Sequence, residues 1–459
     1  MARPRPDAPD VRQERAAPAE KRYAEATAFL FGLRRFGWRP GLETIRRLLD
    51  LVGNPQLRLP AVHVGGTNGK GSTAAMLASI LRAAGYRTGL YTSPHLASFT
   101  ERIRVDGAPI GEEEVARLAA ELSAACAGRF FESPPPPPPG QLPHPTFFEL
   151  TTAMAFLHFV RQGTEVAVVE VGLGGRLDAT NVIRPRAALL TNVGFDHREY
   201  LGETIEEIAQ EKAGIVKPGV PVLTTADGAA LEVIRRAAAE RGSPLAVVAE
   251  LYRWRLRDAD ISGSVFDLEG PGGRYPGLRI PLPGRHQVGN AVLAVAAAEC
   301  LATQGFRVQA DALREGLQAV RWPGRLQVLP GAPRIILDGA HNPPGAQALG
   351  EFLADRRSEL GRLVLVFGVL RDKDWRTMLS QLLPAADALV LTRPPSDRQE
   401  DPDAVRAALS VALPVSVAPE VADAIAAARS LAGPAGTVLV TGSLYTVSAA
   451  LDALGLSVS

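Results

Sequence analysis

HVGGTNGKGS, His63 to Ser72, is the stretch on which the reading of the whole chain turns. The strict phosphate-loop pattern is Gly, four residues, Gly-Lys, then Ser or Thr. Gly69-Lys70 satisfies its core, but Val64 stands five places before Gly69, and Gly71 separates Lys70 from the first hydroxyl, Ser72. PAVHV, just before, is a short apolar run suited to a buried strand. Just after, Met76, Leu77, Ile80 and Leu81 share one face of a helix expected over Ser72 to Ala84 and stopped by Gly85. A glycine-rich turn in that setting aims backbone N–H groups and a helix amino end at an anion, and Lys70 adds a point charge. The turn alone is weak evidence. Asn68-Gly69-Lys70 between strand and helix makes Gly66, Thr67, Asn68, Gly69, Lys70, Gly71 and Ser72 a candidate triphosphate cradle.

Outward from the loop, apolar runs alternate with amphipathic stretches. RTGLYTS, EVAVVEVG and RAALLTNVG read as further strands, and Thr204 to Gly214 as a helix with Thr204 as N-cap and Glu207 at its third position. Strands separated by helices imply parallel units in a doubly wound, mostly parallel α/β sheet. Leu245 to Pro283 turns to short strands and Gly/Pro turns, so a small antiparallel addition is expected there. A helix ending near Gly305 follows. VRWPGRLQVLPGAP has the Pro/Gly density of a domain junction. Beyond it RIILDGA, RLVLVFGV, ALVLTR, PVSVA and TVLVTG alternate with helices such as Pro343–Arg357, giving a smaller Rossmann-like α/β domain without a Gly-Lys loop of its own. The expected division is a disordered extension over 1–20, a nucleotide-binding domain over 21–320 and the smaller domain over 321–459. The proline-rich segment within 128–145 is stiff and poor in donors, which suits an exposed loop.

The bulk numbers are permissive. At 459 residues two cores are expected. A formal net charge of +1 gives no general attraction to nucleic acid or to an anionic membrane, so an anionic substrate must be held by local groups. Cys126 and Cys300 are far apart and form no CxxC pair, which suits a reducing cytoplasm. No apolar run approaches the ~18 residues of a membrane span.

Phosphoryl chemistry also calls for Mg²⁺, a hard cation that takes oxygen ligands and keeps several waters. Ser93, Glu170 and His197 each follow or end an expected strand, on the edge where open α/β sheets form ligand crevices. A lone histidine is more often a satisfied polar residue, and imidazole is unusual for Mg²⁺, so His197 rests on its convergence with the other two. His63, His144 and His158 suit packing roles, and Glu149 suits helix capping or substrate-loop packing. No HxxxH or Cys/His cluster supports zinc.

GGTNGKGS, TSPHL, ERIRVDG, EVGLGGRLDATN, NVGFDHREYLG, IAQEKAGIVKPG, LPGRHQVGNAVLAVAAA, WPGRLQ and DGAHNP occur in one order between His63 and Asn342. Together they closely resemble folylpolyglutamate synthase/dihydrofolate synthase, a branch of the Mur ligase superfamily. That family uses the GTNGK form of the loop, so the departure from the strict pattern is expected. The resemblance implies a P-loop domain of the Mur ligase central type, ATP on the Gly66–Ser72 loop, and Mg²⁺, two ions in all, near Ser93, Glu170 and His197. It implies an adenine-side contact from Asn290, a cross-domain Arg325 aimed at the γ-phosphate, a ribose contact from Asp338, and His341 near the phosphates or the incoming amino acid. Lys212 matches a lysine carbamylated to N6-carboxylysine in many relatives; carbamate forms only on a neutral amine, so the site must depress the lysine pKa. The unmodified alternative is a lysine favoured at a helix end by the dipole. Arg102 and His95 would lie beside the pterin-bearing substrate, with Asp178 and Ala179 in LDATN, a form shared with enzymes that use both acceptors.

The implied reaction is ATP-dependent ligation of L-glutamate to dihydropteroate and to reduced folates through an acyl phosphate, by a cytoplasmic monomer. Extension of folates alone stays open as an alternative. A peptidoglycan Mur ligase would be expected to carry an added UDP-sugar domain before the loop. A P-loop switch would want a guanine-reading Asn-Lys-x-Asp segment, which the sequence lacks.

Overall fold

The computed structural model describes residues 18–37, 39–131 and 137–456. The extension expected over 1–20 therefore falls mostly outside the described residues, as does 132–136 of the proline-rich segment. Pro138 to Gly140, at the end of that segment, are exposed.

The first lobe is built on an eight-stranded sheet. Its strands are β1 (Ala61–Gly65), β2 (Thr88–Tyr91), β3 (Ile103–Val105), β4 (Ala108–Pro109), β5 (Val166–Glu170), β6 (Ala187–Leu190), β7 (Val222–Thr224) and β8 (Leu245–Val247). They lie in the order β4-β3-β2-β5-β1-β6-β7-β8. All neighbours pair parallel from β2 to β8, and the β3–β4 hairpin joins antiparallel at one edge. β1 and β5 are buried at every position, as two-sided burial of a parallel strand requires. On one face the phosphate-loop helix, Lys70–Ala83, packs with the Ala-rich helix Arg285–Ala302. On the other lie helices Ala19–Gly32, Glu43–Leu51 and Phe147–Arg161.

An antiparallel sheet of β9 (Arg253–Asp260), β10 (Gly263–Gly270) and β11 (Gly273–Ile280) follows. The antiparallel addition thus starts later than its sequence pattern implies. Leu245–Val247 pairs in parallel with β7 and extends the main sheet.

The second lobe has a six-stranded sheet of β12 (Gln327–Leu329), β13 (Arg334–Leu337), β14 (Leu363–Phe367), β15 (Ala388–Leu391), β16 (Val415–Val417) and β17 (Thr437–Thr441). The order is β12-β13-β17-β14-β15-β16, and only β12 runs antiparallel. Its two faces bury separate apolar clusters centred on Leu365 and Val366. Among the described residues no helix is long and apolar enough to cross a membrane.

Candidate active site

β1 sits in the middle of the first sheet, and its carboxyl end feeds directly into the phosphate loop. The helix begins at Lys70, two residues before the sequence pattern suggests, because Gly69 caps it with φ 83°. Only glycine adopts that left-handed geometry freely, and a Cβ there would also overlap the Asn290 amide. Gly66, at φ 137°, is held as tightly, since a Cβ would overlap Thr191 Oγ1. The loop is braced from the β6 end. Thr67 N donates to Asn192 O (2.8 Å), Asn68 N to Asn192 Oδ1 (2.8 Å), and Thr191 Oγ1 to Asn68 O (2.7 Å). Lys70 folds back over the loop, donating to Gly66 O (3.2 Å) and Thr67 O (2.9 Å).

This loop forms one wall of a cavity of about 340 Å³ between the lobes. The carboxyl ends of β2, β5 and β6 deliver Ser93, Glu170 and His197 to it, and helix Ile205–Ala213 delivers Lys212. That helix starts with the expected capping box between Thr204 and Glu207. Asn290 comes from helix Arg285–Ala302, and the second lobe supplies Arg325, Asp338 and His341. The cavity therefore gathers Gly66–Ser72 and these eight residues, which lie far apart in sequence.

Glu170 is buried, and burial pushes its carboxyl pKa up while the nearby Lys70 pulls it down. It accepts one hydrogen bond, from Ser93 N (3.0 Å). Lys212 is also buried, with Nζ donating to Gly66 O (2.9 Å); burial and then the Lys70 charge lower its pKa to about 7. Burial lowers His197 to about 4 despite the neighbouring Asp196 carboxylate. A buried carboxylate beside a hydroxyl and a phosphate loop is a donor set that suits Mg²⁺. Among the described residues no group of three His, Cys, Asp or Glu side chains could hold an ion by itself. A hard cation here would therefore complete its shell with phosphate oxygens and water, as Mg²⁺ does.

Asp338 spends its carboxylate on the second lobe's own backbone, accepting from Leu326 N and Ala340 N (both 2.9 Å). His341 Nδ1 donates to Gly339 O (2.8 Å), which turns Nε2 toward Asp196 Oδ2 at 3.7 Å. Arg325 forms no ion pair among the described residues and donates to Gly324 O (3.1 Å).

Four candidates lie outside the cavity wall. Asp178 is buried, with Oδ2 accepting from Leu173 N (2.9 Å) and Oδ1 from Thr180 N (2.9 Å). It thus caps the short helix Ala179–Val182, which buries Ala179, and it shapes the Gly172–Gly174 wall from behind. Arg102 Nε donates to His95 Nδ1 (2.7 Å), and both sit among Phe31, Phe99 and Phe147. Burial and the Arg102 charge push His95 down to about 3, so it accepts as a neutral ring. His63 and Glu149 make internal contacts away from the cavity wall. His63 Nε2 meets Thr180 Oγ1 (2.8 Å), and Glu149 closes a capping box with Thr146.

The sequence reading missed three residues. Asn342 caps helix Pro343–Asp355 through Gly345 N and pairs with Asn68 across the lobes. Its Nδ2 also donates to Asp196 Oδ2 (2.8 Å), and Lys373 Nζ donates to Asp196 Oδ1 (2.7 Å). Burial disfavours charge on Asp196, but His341, His197 and Lys373 outweigh it and hold the carboxyl well below its usual range. The acid beside His197 was the available signal. Lys373 gave none.

Residues 64–298 match the Mur ligase middle domain, and residues 324–444 match the Mur ligase glutamate ligase domain. Dihydrofolate synthase/folylpolyglutamate synthase of Bacillus subtilis is 38% identical over 80% of this chain and 84% of its own. The folylpolyglutamate synthase of Mycobacterium tuberculosis, solved with ADP, superposes with a TM-score of 0.87 at 35% identity, covering 96% of this chain and 100% of its own. Escherichia coli FolC, solved with DHPP and ADP, superposes with a TM-score of 0.83 at 31% identity, covering 94% of this chain and 97% of its own. Domain matches, sequence identity and superposition agree: this chain belongs to the Mur ligase family, in its folylpolyglutamate synthase/dihydrofolate synthase branch.

Proposed function

We propose that this enzyme ligates L-glutamate to dihydropteroate and to reduced folates at the expense of ATP, acting as a cytoplasmic monomer. The observation that carries this reading is the single cavity in which a glycine-lysine loop of one lobe faces Arg325, Asp338 and His341 of the other. The division of labour is an ATP-binding lobe over 21–320 and a closing lobe over 321–459. The LDATN segment favours use of both acceptors.

A carboxylate is a poor electrophile toward an amine, so it must first gain a leaving group. The amide groups of Gly69 to Ser72 and the Lys70 ammonium would hold the ATP phosphates at the helix amino end. Arg325, with no ion pair among the described residues, is the second lobe's cation for the moving γ-phosphoryl group; positioning and charge neutralisation supply most of such catalysis. Asn290 packs against Gly69 and would border the adenosine, with Asp338 toward the ribose. Bound Mg²⁺, held by Glu170 and Ser93 with His197 alongside, would neutralise phosphate charge, and N6-carboxylysine at Lys212 would add an anionic oxygen donor for a second ion. The glutamate amine then attacks the acyl phosphate and phosphate leaves. Closure of the lobes keeps water from the acyl phosphate. Arg102 and His95, in their aromatic nest, would flank the pterin-bearing end, while Asp178 and Ala179 act through the wall they shape.

The purified chain, given ATP and L-glutamate, should release ADP only when dihydropteroate or a reduced folate is added, and should yield the glutamylated product of each. Absence of acceptor-dependent ADP release with both would overturn the reading.

A further inference from the structure

A second cavity, of about 220 Å³, lies behind the phosphate-loop helix, between that helix, β2, the β3–β4 turn and the segment joining the lobes. Arg82, Arg104 and Arg321 line it against one carboxylate, Asp106, whose Oδ1 accepts from Thr88 N (2.8 Å). Among the described residues none of the three guanidinium groups pairs with a carboxylate. Arg82 donates to Asp106 O (3.0 Å), Arg104 to Glu101 O (3.3 Å), and exposed Arg321 to nothing. Guanidinium groups left without acids around a concave space are the chemistry that binds carboxylates and phosphates.

A narrow neck of about 30 Å³ lies between this cavity and the nucleotide cavity. It shares Arg104 and Trp322 with the former, and Pro94, Arg325 and Leu444 with the latter. Glu101 also borders the neck, but its two oxygens are taken by the backbone N–H groups of Leu96, Ala97 and Ser98. Along the course from Arg325 to Arg82 the guanidinium groups of Arg325, Arg104, Arg82 and Arg321 outnumber the carboxylates of Glu101 and Asp106 by four to two. Trp322 packs against Gly71 of the phosphate loop, so whatever fills the course touches the reacting end's own scaffold.

We infer that this basic groove receives the glutamyl chain of an elongated acceptor, Arg104, Arg82 and Arg321 meeting the free carboxylates behind the one being activated. The inference rests on the proposed ligase reaction. Whichever carboxyl carries the chain, every added glutamate leaves one carboxylate free, so a growing tail is a regular polyanion. Dihydropteroate has no such tail and should be indifferent to the groove.

The test compares wild type with Arg321→Gln and with Arg82→Gln/Arg321→Gln, both outside the ATP cavity, using dihydropteroate, a monoglutamyl folate and a pentaglutamyl folate. The KM for the pentaglutamyl acceptor should rise about tenfold or more in the double variant, the equivalent of ~1.4 kcal/mol. The KM for dihydropteroate and every kcat should stay within twofold. Equal KM changes for all three acceptors, or none, would overturn the inference while ligation itself stands; loss of all ligation in wild type would overturn both. Calorimetric titration with tri-γ-glutamate and with inorganic phosphate separates the sources of negative charge. Tighter binding of the tripeptide, weakened in the double variant, supports a tail groove. Equal or tighter binding of phosphate at the same arginines marks a small-anion site and refutes the assignment.

Discussion

Asn68 of the phosphate loop and Asn342 of the second lobe hold each other by two amide hydrogen bonds, of 2.9 and 3.0 Å, in opposite directions. This pair ties the glycine-lysine loop to the start of helix Pro343–Asp355, so the loop and the second lobe are joined directly at the cavity. Asn342 is buried and also caps that helix, whereas among the described residues the Asn68 side chain makes only the cross-lobe pair. Asn342→Ala should therefore cost about 1–3 kcal/mol of stability, combining a lost cap with lost buried hydrogen bonds. Asn68→Ala should cost less, and a double-mutant cycle on urea unfolding should give a coupling of roughly 0.5–1.5 kcal/mol. Additive effects would show the pair to be energetically idle.

Lys70 and Arg325 approach one cavity from opposite lobes and should fail differently when removed. Lys70→Ala takes a charge from the ground-state triphosphate site as well as from the moving phosphoryl group, so ligation should become undetectable. Arg325→Ala removes a cation needed most as charge shifts during transfer, so kcat should fall by roughly 10³. Affinity for a non-hydrolysable ATP analogue should fall less than tenfold in the same variant. Measuring both quantities decides the matter: a large affinity loss with modest change in kcat would make Arg325 a binding residue.

Lys212 supplies a pH signature. Its folded pKa is lowered from 10.5 to about 7, so between those values the unfolded chain binds a proton that the folded chain releases. Stability must then rise with pH across that window, by about 1.4 kcal/mol per pH unit at most, and the penalty is fully present below pH 7. Lys212→Met should be flatter than wild type from pH 7 to 10 in urea melts and more stable at pH 6. Carbamylation needs the neutral amine, so bicarbonate at pH 8 should add one carbon dioxide to the intact wild-type mass and none to the variant.

The sequence signals that brought residues to the cavity wall were local. Lys70, Ser93 and Glu170 stand at strand ends, and a strand end in a parallel sheet already names the edge on which a site forms. Lys212 and Arg325 needed the family resemblance, because nothing in their own neighbourhoods distinguishes them from surface cations. Asp178 stands apart from the cavity wall for a physical reason: its carboxylate looks available in LDATN, but it accepts from the backbone of Leu173 and Thr180. Leu245–Val247 is too short for periodicity to distinguish a parallel strand from the hairpins that follow. Helix Glu43–Leu51, with Ile45, Leu48 and Leu49 on one buried face, had a readable pattern that the emphasis on strands passed over. The Asp196–Lys373 pair was beyond local reading, since 177 positions separate its members.

That pair carries the remaining prediction. The Asp196 and Lys373 side chains are only 9% and 7% exposed, so each charge leans on its partners for solvation it has lost, Lys373 also meeting Asp372 Oδ2 at 3.3 Å. Removing one partner strands a buried charge, which typically costs ~3–5 kcal/mol, whereas replacing both with apolar groups can be nearly neutral. Asp196→Ala and Lys373→Met should therefore each destabilise in urea melts, even with Asp372 still beside Lys373 and Asn342 still donating to Asp196, and Asp196→Leu/Lys373→Met should recover most of the loss. Activity should not recover with stability. The pair lies across the lobes beside His341 and His197, and an apolar substitute would hold the lobes together while removing the Asp196 charge that lines the cavity. A double variant that regained wild-type turnover along with its stability would reduce the pair to a fastener and remove it from the site.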